Sequence, residues 1–377
     1  MGAMRLLLAL SVVYGHAGLI SAIGFPLVPG DTAVEGFYGI SGFYMALVLN
    51  EYYRPENSTY RLFIGNRFAR LFPAYGVILL ATLVLAAVVA AQRREQLPFI
   101  DSWGTLPQLP PYVTTFILGS QVVFVGLDLT QFMSFHNGSL SLVSNFYDPH
   151  ALAGVLAVPP AWTLGLEFAF YLIAPLIVRR SVKAIVILFF CSIAFRLFLQ
   201  FDFGLYNDPW SYRFFPSELA LFLVGVLGYR VYRSLENGRD MRLLALFIGV
   251  CFCVAGAVLV NRWHGWSRVA STGLLLLLLL AIPFLFRICK TNRLDRFVGE
   301  LSYPIYICHF LVIWTLTYLW GMSAGMFRGF VILAITVLLS IVIYLAIDRP
   351  IDAWRHKQFA PRVRQTISDP VASAVPS

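Results

Sequence analysis

The segment MRLLLALSVVYGHAG sets Arg5 at one end of an apolar run and His16 well inside it. At 1.5 Å per residue a helix separates the two by about 16 Å. That is roughly half the hydrocarbon thickness of a bilayer, so Arg5 would lie at one face and His16 past the middle. An imidazole suits removal of a proton from a hydroxyl near neutral pH better than other side chains. Glu167, in WTLGLEFAFYLIAPLI, falls at the same depth as His16. A carboxylate that orients a histidine is the arrangement of a general base, although the same pair could bridge two helices structurally. Arg67 and Arg70, three apart in NRFARLFPAY, share the opposite end with Arg5. Guanidinium groups suit bidentate phosphate contacts, and topogenic charge or lipid-headgroup contact would use the same residues. His309, near mid-depth in LSYPIYICHFLVIW, with Arg196 and Glu218, completes the set of ionisable groups in apolar surroundings. Such groups are costly in lipid and ask for a function.

The elements that must position these residues are transmembrane helices. Of 377 residues, 59% are hydrophobic and 12% charged, half the share of charge found in a soluble domain. Apolar stretches recur at about 4–23, 36–50, 71–91, 112–127, 162–178, 184–200, 216–229, 243–261, 267–286, 300–320 and 328–347. The net charge of +9 then reads as cytoplasmic loops rich in Arg and Lys, with no nucleic-acid partner implied. The five cysteines lie in or beside apolar spans without metal-ligand spacing, so no metal is expected. There is no Gly-rich phosphate loop and no Gly-x-Ser-x-Gly elbow, and the glycosylation triplets at Asn57 and Asn137 carry no weight. The apolar N-terminus resembles a signal peptide in composition, but it is read as a retained first helix.

The weakest stretch, 112–127, is decided by charge. If it does not cross and the N-terminus is cytoplasmic, most of the 28 lysines and arginines fall inside; if it crosses, that majority is reversed. The expected architecture is therefore an all-α polytopic membrane protein of about ten transmembrane helices with both termini cytoplasmic. One membrane domain spans residues 1–358, and a polar tail, 359–377, is read as disordered. Segment 92–161 becomes a long extracytoplasmic loop holding a re-entrant or surface helix. It is rich in aromatics (Trp103, Tyr112, Phe132, Phe135, Phe146, Tyr147) and reads either as a lid or binding loop or as a packed cap. No internal repeat is visible, so the plan of many transporters gains no support.

In order, these segments resemble the acyltransferase-3 family of integral membrane acyltransferases. RLLLALSVVYGH has the Arg-x10-His form of its first helix, and VEGFYGISGFYMAL resembles its Phe-x-x-x-Ser-Gly-Phe helix, which brings in Ser41. NRFARLFPAY, AWTLGLEFAFYLIAP and LSYPIYICHF resemble three further motifs, and AIDRPIDAWR its closing one, with Asp348 where Glu is usual. The resemblance implies a ten-helix enzyme that transfers an acyl group, commonly acetyl from acetyl-CoA, and not an aminoacyl group. His16 would be the catalytic residue, with Arg5 and Glu167 as companions. Arg67 and Arg70, with Ser41 and His309, would serve the donor. The acceptor would be a hydroxyl of a carbohydrate or lipid-linked sugar, or a small secondary metabolite. Exported glycan, such as exopolysaccharide or O-antigen, leads, with a bacterial inner membrane as the setting and membrane lipid as a partner. The rival from a different class is a proton-coupled transporter in which His16, Glu167 and His309 relay protons.

Overall fold

The structure is a computed structural model that describes residues 1–24, 27–53, 60–92, 95–238, 240–261 and 266–359. The long helices are α1 (Gly2–His16), α3 (Gly30–Glu51), α4 (Tyr60–Ala91), α7 (Trp162–Ile177), α8 (Val182–Phe203), α9 (Phe215–Asn237), α10 (Met241–Asn261), α11 (Trp266–Cys289), α13 (Ser302–Trp314) and α14 (Met326–Ile343). Shorter ones are α2 (Leu19–Ile23), α5 (Pro98–Trp103), α6 (Pro111–Val123), α12 (Arg293–Glu300) and α15 (Arg349–Phe359). A π-helical turn extends α13 over Thr315–Leu319, and another joins α14 to α15 over Tyr344–Asp348. Among the described residues the only strands form one antiparallel hairpin, β1 (Met133–His136) with β2 (Ser139–Leu142). The polar tail and Asn57 lie outside the described residues.

Eight helical segments among the described residues are long and apolar enough to cross a membrane. The bundle is completed by α1, which is apolar but has 15 residues, and by α9, 23 residues that carry several charges near their ends. The stretch at 112–127 becomes α6, whose 13 residues reach about 20 Å, short of the hydrocarbon thickness. Proline starts it at Pro111, and left-handed Phe124 and Gly126 end it.

The first helix is shorter than its apolar run suggests. It stops at His16, because Gly18 adopts φ +79° and turns the chain into α2. His16 therefore sits at the end of a helix rather than inside one.

The largest helix contact, α3 against α9, depends on missing side chains. A Cβ on Gly42 would lie 1.9 Å from the Phe222 carbonyl oxygen, and one on Gly225 would lie 1.9 Å from that of Gly39. Backbones that touch in this way are how small residues drive helix association where lipid removes the hydrophobic incentive. At the Arg-rich end, the Asp295 carboxylate of α12 accepts the backbone N–H groups of Gly2 (2.8 Å) and Ala3 (2.9 Å) and so caps α1. On α15, Arg355 is buried and donates from Nε to Asn66 Oδ1 at 2.8 Å. The closing sequence motif is thereby fastened to the one that carries Arg67 and Arg70.

The opposite end is covered by segment 95–161. Gln121 of α6 donates to the Val155 carbonyl and accepts from the Ala157 N–H, both at 2.8 Å, while Trp103 Nε1 donates to the same Val155 oxygen at 2.8 Å. The loop between α8 and α9 clamps this layer: Trp210 Nε1 donates to Val143 O (2.7 Å) and Phe146 N to Asp208 O (2.6 Å). These bonds hold the segment together as a cap over that end.

Candidate active site

Five of the residues singled out in the sequence line one cavity of about 130 Å³: Arg5, Ser41, Arg67, Arg70 and Glu167. They come from α1, α3, α4 and α7. Arg67 and Arg70 lie on one face of α4 because residues three apart are neighbours on a helix. Tyr38, Tyr44, Tyr171, Tyr303 and Tyr306 add aromatic walls.

The charges inside are unevenly balanced. Arg70 Nη2 lies 3.4 Å from Glu300 Oε2. Arg67 is 6% exposed, its Nε has no hydrogen-bond partner, and its guanidinium stands 5.8 Å over the Phe63 ring. Arg5 stands 5.8 Å over the Tyr44 ring. Neither Arg5 nor Arg67 makes an ion pair among the described residues. A buried cation without a counter-ion is costly, so the cavity is electrostatically incomplete and suited to an anion. Glu167 does not supply the missing charge balance through contact: its Oε1 accepts from Ser41 Oγ at 2.8 Å and from the Tyr171 hydroxyl, one helical turn along α7.

The histidines lie apart from that wall. His16 Nδ1 is 3.0 Å from His309 Nε2, and His309 Nδ1 is 2.6 Å from the Tyr306 carbonyl oxygen. The Phe310 ring packs on His16 with centroids 5.0 Å apart. His309 is fully buried, whereas His16 is exposed.

Two sequence expectations are corrected here. Glu167 is bonded to Ser41 and Tyr171, and His309 takes the place beside His16 that shared depth had given to Glu167. Depth along a helix fixes one coordinate; the rotation of α7 about its axis, set by packing, turns Glu167 to the arginine cavity. His309, expected among the donor contacts, is fully buried behind His16 and does not line that cavity.

Tyr306 was quoted in a motif without a role, yet it joins the two regions. It lines the cavity, while its carbonyl holds His309. The Ile-Tyr-x-x-His spacing was the available signal, since i and i+3 meet on a helix. Arg213, in the loop between α8 and α9 and not singled out in the sequence, is held by Asp208 at 2.7 and 2.9 Å and by Gln131 at 3.0 Å. Its guanidinium lies between the rings of Phe146 (4.1 Å) and Trp162 (4.4 Å), locking the cap to the start of α7.

An all-α bundle with eight helices among the described residues long and apolar enough to cross a membrane defines the class of polytopic membrane proteins, here with an arginine-lined cavity and a histidine pair beyond it. Comparison narrows the class: the sequence profile of the acyltransferase-3 family, described as an acyltransferase domain, matches residues 1–345. The chain belongs to that family and is a multi-pass membrane acyltransferase. A protein of Aquifex aeolicus (strain VF5), described as an uncharacterized protein, is 24% identical over 205 residues, 53% of this chain and 90% of that protein. No solved structure matches the chain.

Proposed function

We propose that the enzyme takes an acyl group, acetyl in the first instance, from cytoplasmic acyl-CoA and transfers it to a hydroxyl of an exported glycan, in a bacterial inner membrane. The observation that carries this reading is the pair of cations, Arg5 and Arg67, that converge on one cavity without an ion pair to any carboxylate among the described residues. The phosphates of CoA supply the missing negative charge, and Arg70 adds a third guanidinium. Ser41 and Glu167 offer polar atoms farther along the same wall for the amides of the pantetheine arm.

The chemistry follows from His16. Its imidazole takes the proton of the acceptor hydroxyl as that oxygen attacks the thioester carbonyl. A C–O bond forms, the C–S bond breaks, and the departing CoA sulfur recovers the proton from the imidazolium. The packed cap of aromatic residues over the far end suits a sugar face, and the Trp162 and Arg213 stack stands on that side.

The test pairs binding with transfer. CoA at a hundredfold over its Kd should stabilise the purified protein by about 2.7 kcal/mol, read as a rise in Tm in detergent. His16→Ala should keep that stabilisation while ester-linked acyl groups on surface glycans fall on the order of 10³-fold. A protein that CoA leaves unmoved, and whose His16→Ala variant shows unchanged esters, overturns the reading. Substrate movement without acyl-CoA would assign the transporter role instead.

A further inference from the structure

The hydrogen-bond chain behind His16 determines which of its nitrogens is basic. A backbone carbonyl oxygen only accepts, so His309 Nδ1, 2.6 Å from Tyr306 O, carries a hydrogen. His309 is fully buried, and its two polar contacts, a carbonyl and an imidazole, are both neutral. A cation in that setting would lack compensation, so the ring is neutral and its Nε2 keeps a bare lone pair. That lone pair is 3.0 Å from His16 Nδ1. The shared hydrogen therefore belongs to His16 Nδ1, and His16 Nε2 is bare. The two ring planes are 14° from parallel with centroids 5.0 Å apart.

We propose that His309, anchored by the Tyr306 carbonyl, is a positioning residue that fixes the tautomer of His16 and makes His16 Nε2 the proton-accepting atom. This rests on the acyl-transfer reading above. A neutral imidazole backed by a main-chain carbonyl thus does here what a carboxylate does in a catalytic triad. When the acceptor O–H bond breaks, the N–H bond forms at Nε2 of His16. The Nδ1–H of the resulting imidazolium strengthens its hydrogen bond to His309 Nε2, and the Nε2 proton leaves with the CoA sulfur. No carboxylate enters the chain, which explains why Glu167 is free to serve the cavity wall.

The decisive measurement is the nitrogen-15 spectrum of histidine-labelled wild-type enzyme without substrates, with His16→Ala and His309→Gln used to assign the signals. The expected result is His16 protonated at Nδ1 and bare at Nε2; the opposite tautomer overturns the proposal. It requires no turnover, so it decides the tautomer even if acyl transfer itself is not observed. A failure of the transferase reading shows instead as absent turnover in the wild type. Kinetics supply the second readout. His309→Leu should lower kcat on the order of 10²-fold with KM for acyl-CoA changed less than about threefold. His309→Gln, whose amide oxygen reaches the Nε2 position, should recover most of that loss. A His309→Leu effect confined to KM, or a glutamine no better than leucine, overturns it.

Discussion

The arginine cavity and the histidine pair lie in one bundle and solve opposite electrostatic problems. In the cavity, Arg5 and Arg67 have no ion-pair partner among the described residues, and Arg67 is 6% exposed. At the other region, His309 is fully buried with every ring nitrogen bonded, and His16 leaves one nitrogen open. The first region is incomplete until a ligand arrives; the second is complete before one does. A binding site can store unsatisfied charge that a ligand relieves. A proton-transfer site gains from preorganisation, because a ring free to change tautomer would spend part of its time unable to accept.

The α3–α9 contact carries the heaviest consequence, because it places the Ser41 face of the cavity. Gly225→Leu should abolish accumulation of folded protein in the membrane, since even a Cβ there would lie 1.9 Å from the Gly39 oxygen. Gly249→Leu, where a Cβ meets nothing within 4 Å, should leave both yield and Tm near wild type. Equal behaviour of the two variants would break the claim that backbone contact builds the cavity.

The next effect separates two neighbouring arginines. Arg67→Ala should weaken CoA binding about 10- to 100-fold, or 1.4–2.8 kcal/mol, while leaving the ligand-free Tm unchanged or raised, because an uncompensated cation is removed. Arg70→Ala should lower the ligand-free Tm, since it strands Glu300, 7% exposed, at a cost of about 1–3 kcal/mol. Titration of CoA by calorimetry beside thermal melts distinguishes the two. If both variants lost stability alike, the contrast between stored and balanced charge would fail.

A third effect, confined to a pH window, lies in the cap. Burial pushes the Asp128 carboxyl up from 3.8 to about 6. It sits against α7, where a Cβ on Gly165 would be 2.5 Å from its Oδ1. A carboxyl raised in the folded state contributes its stability below the unfolded value and loses it as pH rises through the folded one. The wild type should therefore lose on the order of 3 kcal/mol between about pH 4 and pH 6 from this group, and Asp128→Asn should flatten that part of the Tm profile. An identical slope in both proteins would mean that the cap does not bury this charge.

The sequence made the helices legible because hydropathy and charge are read along one dimension. The apolar helices and the gathering of Arg5, Arg67 and Arg70 along one cavity follow from position along the chain. The early stop of α1 was legible in principle, since Gly18 stands just beyond His16 and favours the left-handed turn. Partner choice was not. Glu167 and His309 have the residue types and depths expected of site residues, and the exchange between them depends on how α7 and α13 are rotated.

By itself the sequence determined that the chain is a helical membrane protein with a cation-rich end and an imidazole inside its first apolar run; that the helix stops at this imidazole is a finding of the structure. Lipid exposure and charge cost act residue by residue, so composition and order suffice for the former. Only the tertiary structure decided that Ser41 and Tyr171 hold Glu167, that the Tyr306 carbonyl holds His309, and that His309 holds His16. Those bonds depend on helix rotations set by close packing, as at Gly42 and Gly225, and rotation about a helix axis is a property of the assembled bundle rather than of any one segment.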